Sequence, residues 1–127
     1  MSRKPVLVIE DEPDIRLYMG ILLKSQGYTV YSASNGREAL DILQDLTKPL
    51  PGLIALDYYM PVMDARGFLD ELPSVQSIRD ISQVTIILVT ASEPSGRQDL
   101  ESKIKCSIRK PIDINKFLDL VKQACES

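Results

Sequence analysis

Hydrophobic residues along this chain form short runs that alternate with longer stripes of helical spacing. A short, mainly apolar run bounded by turn or polar residues is typical of a strand buried on both faces. The runs are VLVI (6–9), TVYSA (29–33), LIAL (53–56), VTIILV (84–89) and a weaker IKCSI (104–108). The pattern therefore predicts a strand at each of these places.

Between the strands, apolar residues recur at i, i+3, i+4 and i+7, which predicts amphipathic helices. The first helix has Pro13 near its start and Gly27 just past its end. Its stripe is Ile15, Tyr18, Met19, Leu22 and Leu23. The second is predicted to follow Asn35, an N-cap with Glu38 in capping-box register. Its stripe is Ala39, Ile42, Leu43 and Leu46.

The second half of the chain carries weaker helix signals and one clear one. Asp64 is a plausible cap for a short third helix that Pro73 is expected to end, with the stripe Phe68, Leu69 and Leu72. Residues 73–83 are expected to be irregular, and residues 92–103 to hold a short, poorly amphipathic helix. The last helix has Asp113 as its predicted N-cap. Its stripe is Ile114, Phe117, Leu118 and Val121.

Strands that alternate with helices predict an α/β fold, in which a parallel sheet is covered by helices on both faces. Right-handed crossovers make a doubly wound sheet the natural topology. A length of 127 residues suits a single domain over 1–127, and no repeat or low-complexity segment interrupts it.

Composition excludes several function classes. The chain has no histidine, which excludes Ser-His and Cys-His nucleophile pairs and histidine metal sites. A net charge of −3 without a basic stripe argues against nucleic-acid binding by this chain alone. Cys106 and Cys125 lack metal-ligand spacing, no apolar run nears the roughly 18–20 residues that span a bilayer, and the N-terminus does not resemble a signal peptide. A reduced, cytoplasmic chain without membrane contact is expected.

Polar residues stand where the predicted strands end. Glu10-Asp11-Glu12 follows the first strand, Asp57 the third, Thr90 the fourth and Lys110 the fifth. The carboxyl ends of parallel strands share one edge of a doubly wound sheet, where ligands bind. Crowded carboxylates with no His or Cys favour Mg²⁺, and a lysine and a hydroxyl can hold phosphoryl oxygens beside it. A carboxylate in the middle can form an acyl phosphate.

Each of these residues has an ordinary explanation when taken alone. The three acids suit a solvated helix N-terminus, where negative charge is favourable. Asp57 suits a turn, Thr90 a strand end and Lys110 a solvated surface. Asp64 is best explained as a helix cap. Only the joint arrangement, with each residue at the end of its strand, favours a phosphoryl site.

The chain resembles the receiver domain of two-component response regulators from about Lys4 to its end. The motifs that carry the resemblance are VLVIEDEPDIR, ALDYYMPVMD, ILVTAS and RKPI. The resemblance implies a flavodoxin-like receiver fold with five parallel strands in the order 2-1-3-4-5.

The resemblance also implies roles for the residues at the strand ends. Asp57 would be the phosphoacceptor and a ligand of Mg²⁺. Asp11 would bind the ion directly, Glu10 would act nearby or through water, and the backbone carbonyl of Tyr59 would be a further ligand. Thr90 and Lys110 would contact the bound phosphoryl group. The Lys110-Pro111 bond would be cis.

The sequence departs from the family pattern at several places. Ser107 stands where receivers usually carry Tyr or Phe, three residues before the lysine, which argues against the usual rotation of an aromatic ring. Ala65 replaces a usual glycine, and the stretch from Thr90 to Lys110 is slightly short. Tyr59 and Ser92 are hypothesised to shield the acyl phosphate, so that replacing Tyr59 by Asn or Glu would change the dephosphorylation rate several-fold.

The expected function is a signalling switch rather than an enzyme acting on other substrates. The expected partners are a sensor histidine kinase or phosphotransfer protein and an unidentified downstream protein, with no output domain in this chain and a homodimer left open. One alternative is a receiver-like scaffold that signals without phosphate. A hydrolase is disfavoured because position 59 is Tyr rather than a second aspartate. A flavin-binding protein is disfavoured because no phosphate-cradling loop follows the first strand.

Overall fold

The computed structural model describes residues 3–58, 60, 62–91 and 104–126, which contain five strands and four helices. The strands are β1 (Val6–Ile9), β2 (Val30–Ala33), β3 (Leu53–Asp57), β4 (Thr85–Thr90) and β5 (Cys106–Arg109). The helices are α1 (Pro13–Ser25), α2 (Gly36–Gln44), α3 (Ala65–Gln76) and α4 (Ile114–Cys125). The helix predicted within 92–103 lies outside the described residues.

The strands form one parallel sheet in the order β2-β1-β3-β4-β5, which confirms the predicted doubly wound α/β fold. Successive strand residues face opposite sides of the sheet, and both sides are buried. Leu7 and Ile9 pack with α2 and α3, whereas Val6 and Val8 pack with α1 and α4. This two-sided burial explains why the strands are continuous apolar runs.

The predicted helix caps are confirmed. Asn35, Asp64 and Asp113 each accept a hydrogen bond from a backbone N–H three residues on, in the first turns of α2, α3 and α4. Glu38 reaches back to the backbone N–H of Ser34 at 2.8 Å, one residue before the cap. These local bonds fix where α2, α3 and α4 begin.

Two helix ends differ from the prediction. α3 runs through Pro73 to Gln76, because Val75 is buried in the core and anchors a turn that the proline alone would end. α2 ends at Gln44, because the side chain of Asp45 accepts bonds from Thr47 and closes a turn there.

Three stripe positions also differ. Leu46 lies beyond α2 and is 68% exposed. In α1 the buried positions are Met19, Gly20 and Leu23, while Tyr18 is 48% exposed, so the buried face is narrower than the predicted stripe. Ile114, at the first turn of α4, is also exposed.

A search of the described part of the chain for a helix that is long and apolar enough to cross a bilayer finds none.

Candidate functional site at the carboxyl edge of the sheet

The topology sets the ends of four strands side by side. In the register of β1 with β3, Glu10 comes one position beyond the last pair and therefore lies beside Asp57. Thr90 ends β4, the other neighbour of β3, and pairs with the last residue of β5, directly before Lys110. The structure thus brings together the residues that the sequence pattern placed at this edge, and the roles assigned to them stay predictions.

Three carboxylates are crowded at this edge. Glu10, Asp11 and Asp57 each offer an oxygen, and these oxygens lie within 4.8 Å of one another. Glu10 is 1% exposed and Asp57 6%, while Asp11 is half-buried. Like charges at this separation and burial repel strongly unless a proton or a cation lies between them.

Lys110 supplies the positive charge nearest the acids. Its Nζ donates to Glu10 Oε1 at 2.8 Å and lies 3.6 Å from Asp57 Oδ1. The resemblance implies that the lysine contacts a phosphoryl group on Asp57, whereas no sequence pattern predicts its pairing with Glu10. The shorter distance makes Glu10 its principal partner in this structure.

The pKa values of Asp57 and Lys110 are both raised in this site. Burial and then repulsion by Glu10 raise the pKa of Asp57 from 3.8 to about 7, although Lys110 opposes the rise. Burial lowers the pKa of Lys110, but the hydrogen bond to Glu10 and the charges of Asp57 and Glu10 outweigh it and hold that pKa above its ordinary value. A second cation would therefore be favoured at the carboxylates.

Thr90 and Ser107 lie in the neighbouring strands β4 and β5. Thr90 is fully buried at the end of β4, and its carbonyl oxygen accepts a bond from the backbone N–H of Lys110 at 2.8 Å. Ser107 is half-buried in β5, where it pairs in register with Leu88. The Lys110-Pro111 bond is cis, as the resemblance implied.

The loop that follows Asp57 is fixed to the start of α2. The backbone N–H of Gly36 donates to the carbonyl oxygen of Met63 at 3.0 Å, and a Cβ at position 36 would lie 2.9 Å from that oxygen. Only glycine allows this approach. Val62, just before the contact, has a φ of 67°, a left-handed conformation that is rare for a β-branched residue. Tyr59 and Ser92, to which roles were assigned, lie outside the described residues.

Arg16 is a site residue that sequence reasoning missed. Its Nη1 donates to the carbonyl oxygen of Glu10 at 2.7 Å, with a longer contact of 3.5 Å to that of Asp11. The available signal was its place in VLVIEDEPDIR, one turn into a helix that begins directly after the acids.

The three carboxylates fit a hard divalent cation. Mg²⁺ prefers oxygen ligands, usually takes one or two carboxylates and keeps several waters. Glu10, Asp11 and Asp57 offer such oxygens without nitrogen or sulfur donors, and Asp11 keeps part of its surface open to solvent. Bound Mg²⁺ would also relieve the repulsion that raises the pKa of Asp57.

Comparisons with known proteins identify the family and agree with the fold. The family model of the response regulator receiver domain matches residues 6–122. Sporulation initiation phosphotransferase F of Bacillus subtilis (strain 168) is 29% identical over 128 residues, which cover 97% of this chain and 94% of that protein.

Solved structures show the same fold. The receiver domain of sensor histidine kinase PA1611 from Pseudomonas aeruginosa PAO1, which has a magnesium ion coordinated in its active site cleft, matches with a TM-score of 0.80 and 21% identity over 98% of each chain. Vibrio cholerae chemotaxis protein CheY4 matches with a TM-score of 0.76 and 27% identity over 95% of this chain and 98% of that one. Because the family model spans nearly the whole chain, the protein belongs to the response regulator receiver domain family, the signal-receiving domain of two-component systems.

Proposed function

We propose that Asp57 accepts a phosphoryl group in a reaction that requires Mg²⁺, and that the modified domain presents a changed face to a downstream protein. One observation carries the proposal: the carboxylates of Glu10, Asp11 and Asp57 converge within 4.8 Å at the end of β3, with the Lys110 ammonium 2.8 Å from Glu10 and 3.6 Å from Asp57. Phosphoryl transfer depends mainly on positioning and charge neutralisation, and this set supplies both.

The proposed donor is a phosphohistidine on a sensor histidine kinase or phosphotransfer protein. A carboxylate oxygen of Asp57 forms a bond to phosphorus, and the phosphorus–nitrogen bond breaks. Its electron pair stays on the imidazole nitrogen, and the product on this chain is an acyl phosphate. Asp57 must be ionised to attack, so anything that lowers its raised pKa favours the reaction.

The neighbouring residues would bind the metal ion and contact the phosphoryl oxygens. Asp11, Asp57 and Glu10 would hold Mg²⁺, and we include the backbone carbonyl of Tyr59 as a further proposed ligand. Bound Mg²⁺ would supply neutralisation of the charge on the phosphoryl oxygens. Lys110 would exchange Glu10 for a phosphoryl oxygen, and the Thr90 hydroxyl would contact another.

The domain acts, on this proposal, as a cytoplasmic signalling module over residues 1–127 that assists only its own phosphorylation and dephosphorylation. Its output would be a protein contact, without nucleic-acid or membrane binding by this chain, and a homodimer is compatible with it. The name of the Bacillus relative, a phosphotransferase, supports a phosphotransfer role.

A phosphate-independent scaffold is the second candidate, and Ser107 is the observation that favours it. A receiver usually couples its threonine to an aromatic residue at this place in β5, and this chain has a small half-buried hydroxyl there. The complete set of acids, threonine and lysine favours phosphorylation over this candidate.

Intact-protein mass decides between the two. After incubation with acetyl phosphate or phosphoramidate and Mg²⁺, the chain should gain one phosphoryl group of about 80 Da, and EDTA should abolish the gain. Asp57→Asn should show none. Asp64→Asn, a matched control in the same loop that retains a capping side chain, should be modified like the original chain. A folded protein that gains no mass from these donors or from cognate kinases would support the scaffold instead.

A further inference from the structure

Arg16 lies in the first turn of α1, and its side chain turns back toward the end of β1. Nη1 donates to the Glu10 carbonyl oxygen at 2.7 Å and approaches the Asp11 carbonyl oxygen at 3.5 Å. The side chain is half-buried rather than extended into solvent. Two consecutive carbonyl groups at the acid site are thus directed at one guanidinium group.

These two carbonyl groups belong to the peptide planes on either side of the Asp11 Cα. Peptide planes are rigid, so the bond to the Glu10 carbonyl and the longer contact to the Asp11 carbonyl together restrain the backbone dihedrals at that Cα, and with them the direction of the Asp11 side chain. The next backbone N–H, of Glu12, donates to Glu10 Oε2 at 3.2 Å and ties the Glu10 carboxylate to the same turn. The bond from the Glu10 N–H to the Ala33 carbonyl, at 3.0 Å, joins the start of this segment to the sheet.

The choice of arginine fits this task. A guanidinium group is planar, always charged and carries several donors, so one group can hold two carbonyl oxygens at once. Lysine keeps the charge but offers a single ammonium on a flexible stem. Glutamine keeps an N–H donor, but it has no charge and its donor lies two bonds closer to the backbone.

The positive charge of Arg16 opposes the proposed positioning effect. A cation near the three carboxylates repels a second cation, so charge alone predicts that removing Arg16 would strengthen metal binding. The charge of Arg16 also affects Glu38 in α2. Hydrogen bonds from Ser34 are the main cause of the lowered pKa of Glu38, and the positive charge of Arg16 lowers that pKa further. The sign of the change in Mg²⁺ affinity therefore separates positioning from simple electrostatics.

We propose that Arg16 is a positioning residue for the metal site, which holds the backbone of Glu10 and Asp11 so that their carboxylates converge with Asp57. The inference rests on the proposed function, because it requires that these carboxylates bind Mg²⁺. It concerns the support of the ligands and adds no ligand to the set.

Mg²⁺ dissociation constants, measured by calorimetry on folded protein without phosphodonor, test the inference. Arg16→Gln should weaken Mg²⁺ binding about tenfold, the scale on which groups that orient metal ligands act. Arg16→Lys should fall between Arg16→Gln and the original chain. The matched control is Arg79→Gln, because Arg79 also donates to backbone carbonyl oxygens, those of Leu43, Asp45 and Lys48, but in a loop outside the acid cluster.

The outcomes separate this inference from the proposed function. Weaker binding in Arg16→Gln with unchanged binding in Arg79→Gln supports positioning. Unchanged or tighter binding in Arg16→Gln, while the original chain binds Mg²⁺, overturns the inference and leaves the proposed function standing. If the original chain binds no Mg²⁺, both fail. Thermal unfolding is measured first. If Arg16→Gln does not fold, Arg16→Lys decides, and an affinity equal to that of the original chain overturns the inference.

Discussion

Asp57 lies in surroundings that oppose its negative charge, and that opposition is linked to folding. Its pKa in the folded chain is about 7, against an ordinary value of 3.8, because of burial and then repulsion by Glu10. The folded state therefore binds the proton more tightly than the unfolded state does. As pH rises from about 4 to 7 the folded state loses stability from this group, and above 7 the loss is complete.

Asp57→Asn should therefore stabilise the metal-free protein, and more so at high pH. The gain in the free energy of unfolding should grow by about 2.6 kcal/mol between pH 5 and pH 8, since roughly two of these three pH units lie below the folded pKa and each corresponds to about 1.4 kcal/mol. Urea denaturation in EDTA at the two pH values measures it. An equal gain at both would show that the pKa of Asp57 is not raised.

Lys110 holds two buried acids, so its loss leaves their charge uncompensated. Lys110→Met should lower the free energy of unfolding by about 2 to 3 kcal/mol at pH 8, because breaking a buried pair leaves a charge without its partner. Glu10→Gln combined with Lys110→Met should recover much of that loss, because the remaining amide is neutral. If the double variant is no more stable than Lys110→Met alone, the pairing at 2.8 Å does not account for the effect.

The residues of the site could be predicted from sequence more fully than their contacts. A run of apolar residues that ends on a carboxylate, together with strand order, places Glu10, Asp57 and Lys110 at one edge. Which carboxylate the lysine prefers depends on distances of 2.8 and 3.6 Å between side chains from three strand ends, and no spacing encodes them. The role of Arg16 could not be predicted either, because its partners are backbone carbonyl oxygens, which no residue type indicates.

At the ends of the helices, local sequence preferences compete with packing against the core. Pro73 lies in the interior of α3, where it removes one backbone hydrogen bond, yet the helix continues to Gln76 because Val75 is buried. Pro73→Ala should restore that bond and raise the free energy of unfolding by about 1 kcal/mol, part of the penalty of proline in a helix. Chemical denaturation measures it. Ser74→Ala, at the next exposed position, is the control, and an equal gain there would point to helix propensity in general.

Local signals predicted the starts of the helices better than their ends. A cap is a bond between residues three apart, so Asn35, Asp64 and Asp113 could be found from spacing alone. Leu46 and Tyr18 were assigned to buried stripes because they are apolar at helical spacing. Their exposure follows from where α2 ends and from how much of α1 the sheet covers, which only the assembled fold determines.

The whole molecule has an acid site at the carboxyl edge of its sheet and a clasp at the opposite edge. The clasp consists of Arg3, Tyr28 and Glu126: the Tyr28 hydroxyl donates to Glu126, and Arg3 lies 3.6 Å from Glu126 and 4.7 Å from the centre of the Tyr28 ring. Burial, then the bond to Glu126, raises the pKa of Tyr28 to about 12, so its hydroxyl stays protonated at neutral pH. The clasp joins the segment before β1 to the end of α4.

The two edges are separated by the length of the strands, about 15 Å at 3.3 Å per residue, so their contributions to stability should add. Tyr28→Phe should lower the free energy of unfolding by about 1 kcal/mol, the value of one hydrogen bond.

Mg²⁺ at ten times its dissociation constant should add about 1.4 kcal/mol by linkage, in the original chain and in Tyr28→Phe alike. Asp11→Asn should lose most of the Mg²⁺ gain and keep the clasp. Urea denaturation with and without Mg²⁺ measures all three proteins. If Tyr28→Phe also reduced the stabilisation by Mg²⁺, the loss of the clasp would affect the metal ligands, and the contributions of the clasp and the acid site would not be independent.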